Sequence, residues 1–169
     1  MSQNIDATQA YSALRGTQRE YETTMILKPD THKDGIRSLA GRLQAVLDKN
    51  GGRLQKIDNW GTRTLAYPIA RNKKGIYLYI RYLGGSEMVK ELERNLRIYP
   101  EVIRYLTVVV DEDVDPGARP SDIDEETLEA ATETASDPMD NVAAMAEEAT
   151  YHKASDDDDD DDDDDEDDD

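Results

Sequence analysis

Ile76-Tyr77-Leu78-Tyr79-Ile80-Arg81-Tyr82-Leu83 is the stretch that decides the fold. Its residues alternate at period two, with Ile76, Leu78 and Ile80 on one side and Tyr77, Tyr79 and Arg81 on the other. That is the pattern of a strand with one face against a core. The aliphatic side is expected to meet helices, and the Tyr, Tyr, Arg side to form an open sheet face. Just before it, the polar Arg71-Asn72-Lys73-Lys74-Gly75 reads as a hairpin turn. The long, β-leaning stretch from Arg53 to Tyr67 reads as the preceding strand, bulged or bent at Gly61. Further out, Ile36, Leu39, Ala40, Leu43, Val46 and Leu47 follow helical spacing. A Thr31–Asp34 capping box is expected to open that helix and Gly51-Gly52 to stop it. Tyr21 to Lys28, closed by Pro29, is a strand ahead of the helix. On the C-terminal side, Gly84-Gly85-Ser86 supplies a break and an N-cap. Val89, Leu92 and Leu96 mark a second helix, and Val102 to Val110 is a β-prone strand whose Tyr105 and Thr107 are expected to join the open face.

The order is β-α-β-β-α-β. This is the α+β, ferredoxin-like split β-α-β arrangement, a four-stranded antiparallel sheet with two helices on one face.

Charge divides the 169 residues sharply. The whole chain has a net charge of −19. From Arg19 to Asp111 there are 17 Lys and Arg against 11 Asp and Glu, a net of +6, whereas residues 112–169 sum to −25. Two electrostatically opposite pieces share one chain, so the overall pI describes neither. Residues 1–18 are polar and aperiodic and are expected to be a disordered extension, with the domain spanning 19–111. Residues 112–169 are acidic, poor in large apolar side chains and end in the Asp-rich run Asp156 to Asp169. They are expected to be a disordered tail, because they cannot bury enough apolar surface to offset their ordering entropy. The run is expected to act as a solubilising appendage or, more specifically, as an internal mimic of a phosphate backbone.

The sequence lacks the usual parts of an active site. There is no cysteine, the only histidines are His32 and His152, and no phosphate-binding glycine loop is present. A non-enzymatic protein is expected, without metal, cofactor or small-molecule substrate. No apolar run resembles a secretory signal or approaches the ~18 residues of a membrane span. A cytoplasmic location is therefore expected. Basic residues instead gather at Arg63, at Arg71, Lys73 and Lys74, and at Arg94, Arg97 and Arg104. Such charges gain affinity for phosphates by releasing counterions, and tyrosines on an open sheet can stack on bases.

Gly61-Thr62-Arg63-Thr64-Leu65-Ala66-Tyr67-Pro68-Ile69-Ala70 narrows this reading. It resembles the signature of the bacterial small-subunit ribosomal protein six family, in which a glycine and a basic residue precede Leu-Ala-Tyr-Pro-Ile. Tyr21-Glu22 with Pro29, Asn59-Trp60-Gly61, Leu96-Arg97-Ile98 and Val102-Ile103-Arg104 also match the family, over roughly residues 19–111. Thr64 departs from it, since a charged or amide side chain is usual there. The resemblance implies a structural constituent of the small ribosomal subunit. It would bind the central domain of the small-subunit rRNA together with small-subunit ribosomal protein eighteen. Carried over by position, Arg19, Tyr21, Arg97 and Arg104 are the RNA-facing residues. The charge pattern adds Arg63, Arg71, Lys73 and Lys74. Gly61, Leu65, Ala66, Tyr67, Pro68 and Ile69 are expected to be mainly structural. Two other readings of the pattern are a general single-stranded RNA binder using the open Tyr face and a ligand-sensing or self-associating ferredoxin-like module.

Overall fold

The computed structural model describes residues 18–140, which fall into two compact units dividing after Ser136. In the first unit the strands are β1 (Gln18–Leu27), β2 (Arg53–Ile69), β3 (Asn72–Gly84) and β4 (Val102–Val114), with helices α1 (Lys33–Lys49) and α2 (Ser86–Ile98). All pairings are antiparallel and the sheet order is β2-β3-β1-β4, so β2 and β4 are the edges. This is the expected ferredoxin-like α+β fold. In the second unit Asp137 organises a turn, accepting from the Met139 amide at 3.0 Å. The expectations for residues 1–17 and 141–169, including the Asp-rich run, lie outside the described residues.

The alternation in β3 places Ile76, Leu78, Ile80 and Tyr82 in the core with Met25 and Leu27 of β1. Against them pack Ile36, Leu39, Leu43 and Leu47 of α1 and Met88, Leu92 and Leu96 of α2. Tyr82 is fully buried, stacks on Tyr21 at 5.7 Å between ring centroids, and shares its hydroxyl with Thr23 at 3.0 Å. Thr23 bonds Thr107 in turn, also at 3.0 Å. Because Thr107 and Tyr105 pair with Thr23 and Met25, they lie on the helix side of the sheet and not on the open face where the sequence reading put them. Bulges in the β1–β4 ladder belong to that pairing, and alternation within one strand does not reveal which face is which.

Three turns refine the local reading. The cap of α1 is His32 with no side-chain bond, while the Thr31 hydroxyl donates to the Lys28 carbonyl at 2.8 Å instead of closing a box with Asp34. The cap of α2 is Gly85, with Ser86 its first residue. The hairpin turn is Ala70-Arg71, both at positive φ (48° and 68°), as a two-residue primed turn requires. Asn72 to Gly75 already belong to β3. At Gly61 the expected irregularity is present: the register slips between Asn59 and Gly61, and φ is +80°.

Apolar periodicity sets the expected end of the domain at Asp111, but the ordered chain runs beyond it. Strand β4 runs on to a buried Val114, a short 3-10 turn follows at Pro116–Ala118, and a third helix, α3, spans Glu125–Ala130. Asp124 and Thr127 cap α3 reciprocally. The chain returns along the β2 edge. The Ser121 hydroxyl donates to the Leu54 carbonyl at 2.7 Å and the Asp122 amide to the Gln55 carbonyl at 3.2 Å. Farther on, the Asn59 side-chain Nδ2 donates to the Ala131 carbonyl at 3.0 Å, and the Thr62 backbone amide to the Ala135 carbonyl at 2.8 Å. Composition shows that this segment cannot build a core of its own, but it needs none: an unpaired strand edge supplies donors and acceptors.

Candidate nucleic-acid interface

The last turn of α2 and the first residues of β4 form a corner at one end of the sheet. Arg97, exposed at the C-terminal end of α2, donates to the Tyr105 hydroxyl at 3.3 Å. That hydrogen bond holds its guanidinium still more firmly protonated than usual. Arg104 lies on the opposite face of β4 from Tyr105, donates to the Tyr67 hydroxyl, and sits 5.5 Å from the Tyr67 ring centroid in a cation–π contact. The two arginines line one pocket of about 350 Å³ with Leu96, Val102, Ile103 and Tyr105. Neither has a carboxylate partner among the described residues. The contrast with Arg94, paired to Glu91 at 2.7 Å, is direct.

The β2–β3 hairpin rises from the same end of the sheet, since Gly75 at its base lies beside Ile26 and Ile103. Arg63 faces Gly75 across the ladder, while Arg71 and Lys73 are exposed near the tip and Lys74 is half-buried. Arg63, Arg71 and Lys73 also have no carboxylate partner among the described residues. A guanidinium tied only to neutral hydroxyls keeps its full charge for a phosphate, and its fork offers two parallel donors. The corner and the hairpin together make a cationic surface with exposed tyrosine, the chemistry of a phosphate-tracking RNA contact.

A family model described as Ribosomal protein S6 matches residues 20–109, more than half of the chain. The chain belongs to the ribosomal protein S6 family. It is therefore a structural, non-enzymatic constituent of the small ribosomal subunit, a protein of the cytoplasmic ribosome that binds rRNA. The small ribosomal subunit protein bS6 of Pelobacter propionicus is 47% identical over 90 residues, 53% of this chain and 70% of that one. The bS6 protein of Geotalea daltonii is 37% identical over 117 residues, 68% of this chain and 91% of that one. The crystal structure of 30S ribosomal protein S6 from Thermotoga maritima matches with a TM-score of 0.51 at 28% identity, covering 55% of this chain and 88% of that one.

Within this family member the candidate residues do not all converge. Arg97, Arg104, Arg63, Arg71, Lys73 and Lys74 share one end of the sheet. Arg19 pairs with Gly84 at the other end, seven residues along β1 from the Ile26 that pairs with Arg104, or roughly 24 Å. Tyr21 is corrected outright: it is 3% exposed and stacked on Tyr82 beneath the helices, so it is a core residue that reaches no RNA. Tyr79 was expected on an open face, yet only 8% of it is exposed because Trp60 stacks over it at 5.3 Å. Arg81 donates to both the Tyr79 hydroxyl and Glu22. The hydrogen bond from Tyr79, then that from Arg81, holds the Glu22 carboxyl below its usual range, and burial raises Tyr79. Tyr79 is thus locked in place, while Trp60, Leu106 and Val108 are exposed.

Of the residues expected to be mainly structural, Gly61 sits at positive φ and Leu65 is buried, while Ala66 and Pro68 are exposed and Ile69 is half-buried. Tyr67 is 57% exposed and positions Arg104, a role the sequence reading missed. Its signal was present in the motif itself, since Tyr67 stands beside Pro68, which lacks an amide and falls where the β2–β3 register slips.

Proposed function

We propose that the chain binds the central domain of the small-subunit rRNA, together with small-subunit ribosomal protein eighteen, through the Arg97–Arg104 corner and the β2–β3 hairpin. The observation that carries this reading is that Arg97 and Arg104 line one pocket, each held by a tyrosine hydroxyl and by no carboxylate among the described residues. Tyr67 and Tyr105 position the two guanidiniums; Arg63, Arg71, Lys73 and Lys74 extend the phosphate track along the hairpin. Arg19, at the far end of β1, contributes a separate and more distant contact.

The test is binding of the full chain to a central-domain rRNA fragment across a salt series, with the partner protein present. Arg97→Ala and Arg104→Ala should each flatten the log–log salt slope by about 0.7 to 0.9, the value of one phosphate contact. Arg94→Ala, which removes a paired arginine, should leave the slope nearly unchanged. Equal slopes for all three variants and the unmodified chain would overturn the assignment.

A further inference from the structure

The segment that returns along β2 is rich in charge: residues 115–136 hold Asp115, Asp122, Asp124, Glu125, Glu126, Glu129 and Glu133 against the single basic Arg119. Its backbone and neutral side chains already anchor it to the β2 edge, at Ser121, Asp122, Ala131 and Ala135. Two of its carboxylates do something else. Lys33 and Arg37 stand one turn apart on the same face of α1, about 6 Å along its axis. Glu129 and Glu133 have the same four-residue spacing and meet them in reverse order, Arg37 with Glu129 and Lys33 with Glu133. All four side chains remain more than half exposed, and exposed pairs of this kind add little to stability. Their effect is electrostatic: they cancel two cations in the first turns of α1, at residues distinct from Arg97 and Arg104.

We propose that the 115–136 segment is a built-in phosphate mimic, in which Glu129 and Glu133 occupy Lys33 and Arg37 and so keep RNA backbone off α1. Lys33 and Arg37 are then unavailable to phosphate, while Arg63, Arg71, Lys73, Arg97 and Arg104, which have no carboxylate partner among the described residues, stay available. Non-specific RNA binding, which counts phosphate contacts, loses two of them. Binding that depends on shape and on the corner keeps its own. This rests on the reading that the domain's uncompensated cations bind RNA, but it concerns different residues and is tested separately.

The experiment uses the full chain and a random single-stranded RNA oligonucleotide in a salt series, followed by fluorescence anisotropy. Glu129→Gln with Glu133→Gln should steepen the log–log slope by about 1.4, or ~0.7 for each of two uncovered contacts. The affinity gain over the unmodified chain should then grow about seven-fold between roughly 200 and 50 mM salt. Glu125→Gln with Glu126→Gln makes the same change in net charge at positions of α3 outside these pairs, and should steepen the slope far less. Adding Lys33→Gln and Arg37→Gln to the first variant should return the slope to that of the unmodified chain. Equal slopes for the two glutamate pairs, or a gain that survives loss of Lys33 and Arg37, would overturn the proposal. Arg97→Ala tested on the central-domain fragment stands apart, so failure of the corner assignment and failure of the mimic give different results.

Discussion

Replacing Gly61 by alanine tests whether the returning segment is part of the folded domain, and Gly51 supplies the internal control. Both glycines sit at positive φ, +80° and +69°. An alanine there costs about 1–2 kcal/mol from the left-handed backbone alone. A Cβ on Gly51 would meet nothing within 4 Å, so Gly51→Ala should cost that amount and no more. A Cβ on Gly61 would lie 2.7 Å from the Ala135 carbonyl oxygen and 3.1 Å from its Cβ. That oxygen accepts the Thr62 amide at 2.8 Å, so the added methyl must push Ala135 off the β2 edge and break the bond. The loss is a further ~0.5–1.5 kcal/mol. Gly61→Ala should therefore cost about 2–3 kcal/mol and exceed Gly51→Ala by ~1 kcal/mol, a separation of about 4–8 °C in melting temperature. Urea midpoints at unchanged slope measure the energies. Hydrogen exchange should show the Thr62 amide losing protection in the Gly61 variant only. Equal costs at the two positions, or a Thr62 amide that stays protected, would refute the placement of Ala135 and with it the edge-covering role of the segment.

Arg71 occupies the second left-handed position of a primed hairpin turn, φ +68°, where glycine carries no steric cost. Arg71→Gly should raise stability by about 0.5–1 kcal/mol in thermal melts while reducing the RNA salt slope, a trade between hairpin strain and charge. Burial of the Tyr82 hydroxyl pushes its pKa up to about 12 from an ordinary value near 10. The folded state thus holds a proton that the unfolded chain releases, so this contribution to stability is fully present below pH ~10 and is lost as pH rises towards about 12. The loss should amount to about 2–3 kcal/mol at the upper limit, at ~1.4 kcal/mol per unit. Tyr82→Phe should flatten the alkaline limb of a stability profile by that amount relative to the unmodified chain, and identical limbs would show that Tyr82 is accessible to base.

Much of the fold was legible because its causes are local. Period-two alternation in Ile76–Leu83, helical spacing in Ile36–Leu47 and the breaks at Pro29, Gly51-Gly52 and Gly84-Gly85 act over a few residues, and each maps directly onto an element. The same holds for the cationic residues near the second helix and the last strand, whose charge is visible in the sequence. What sequence could not supply is which of those charges are already spent. Arg81 and Arg94 look no different in sequence from Arg97 and Arg104, but the first two face Glu22 and Glu91 and the second two face tyrosines.

By itself, then, the sequence determined the α+β element order, the core-facing side of β3 and the split between a basic domain and an acidic C-terminal part, because periodicity, backbone preference and net charge are properties of neighbours along the chain. Only the tertiary structure decided that Tyr21 lies inside, that Trp60 covers Tyr79, that Tyr67 holds Arg104, and that residues 115–136 fold back on β2 and α1. Each of those outcomes depends on pairs separated by tens of residues, such as Thr62 with Ala135 or Lys33 with Glu133. An acidic, core-poor segment is ordered by the strand edge and the cations it meets, and nothing in its own composition states that they are there.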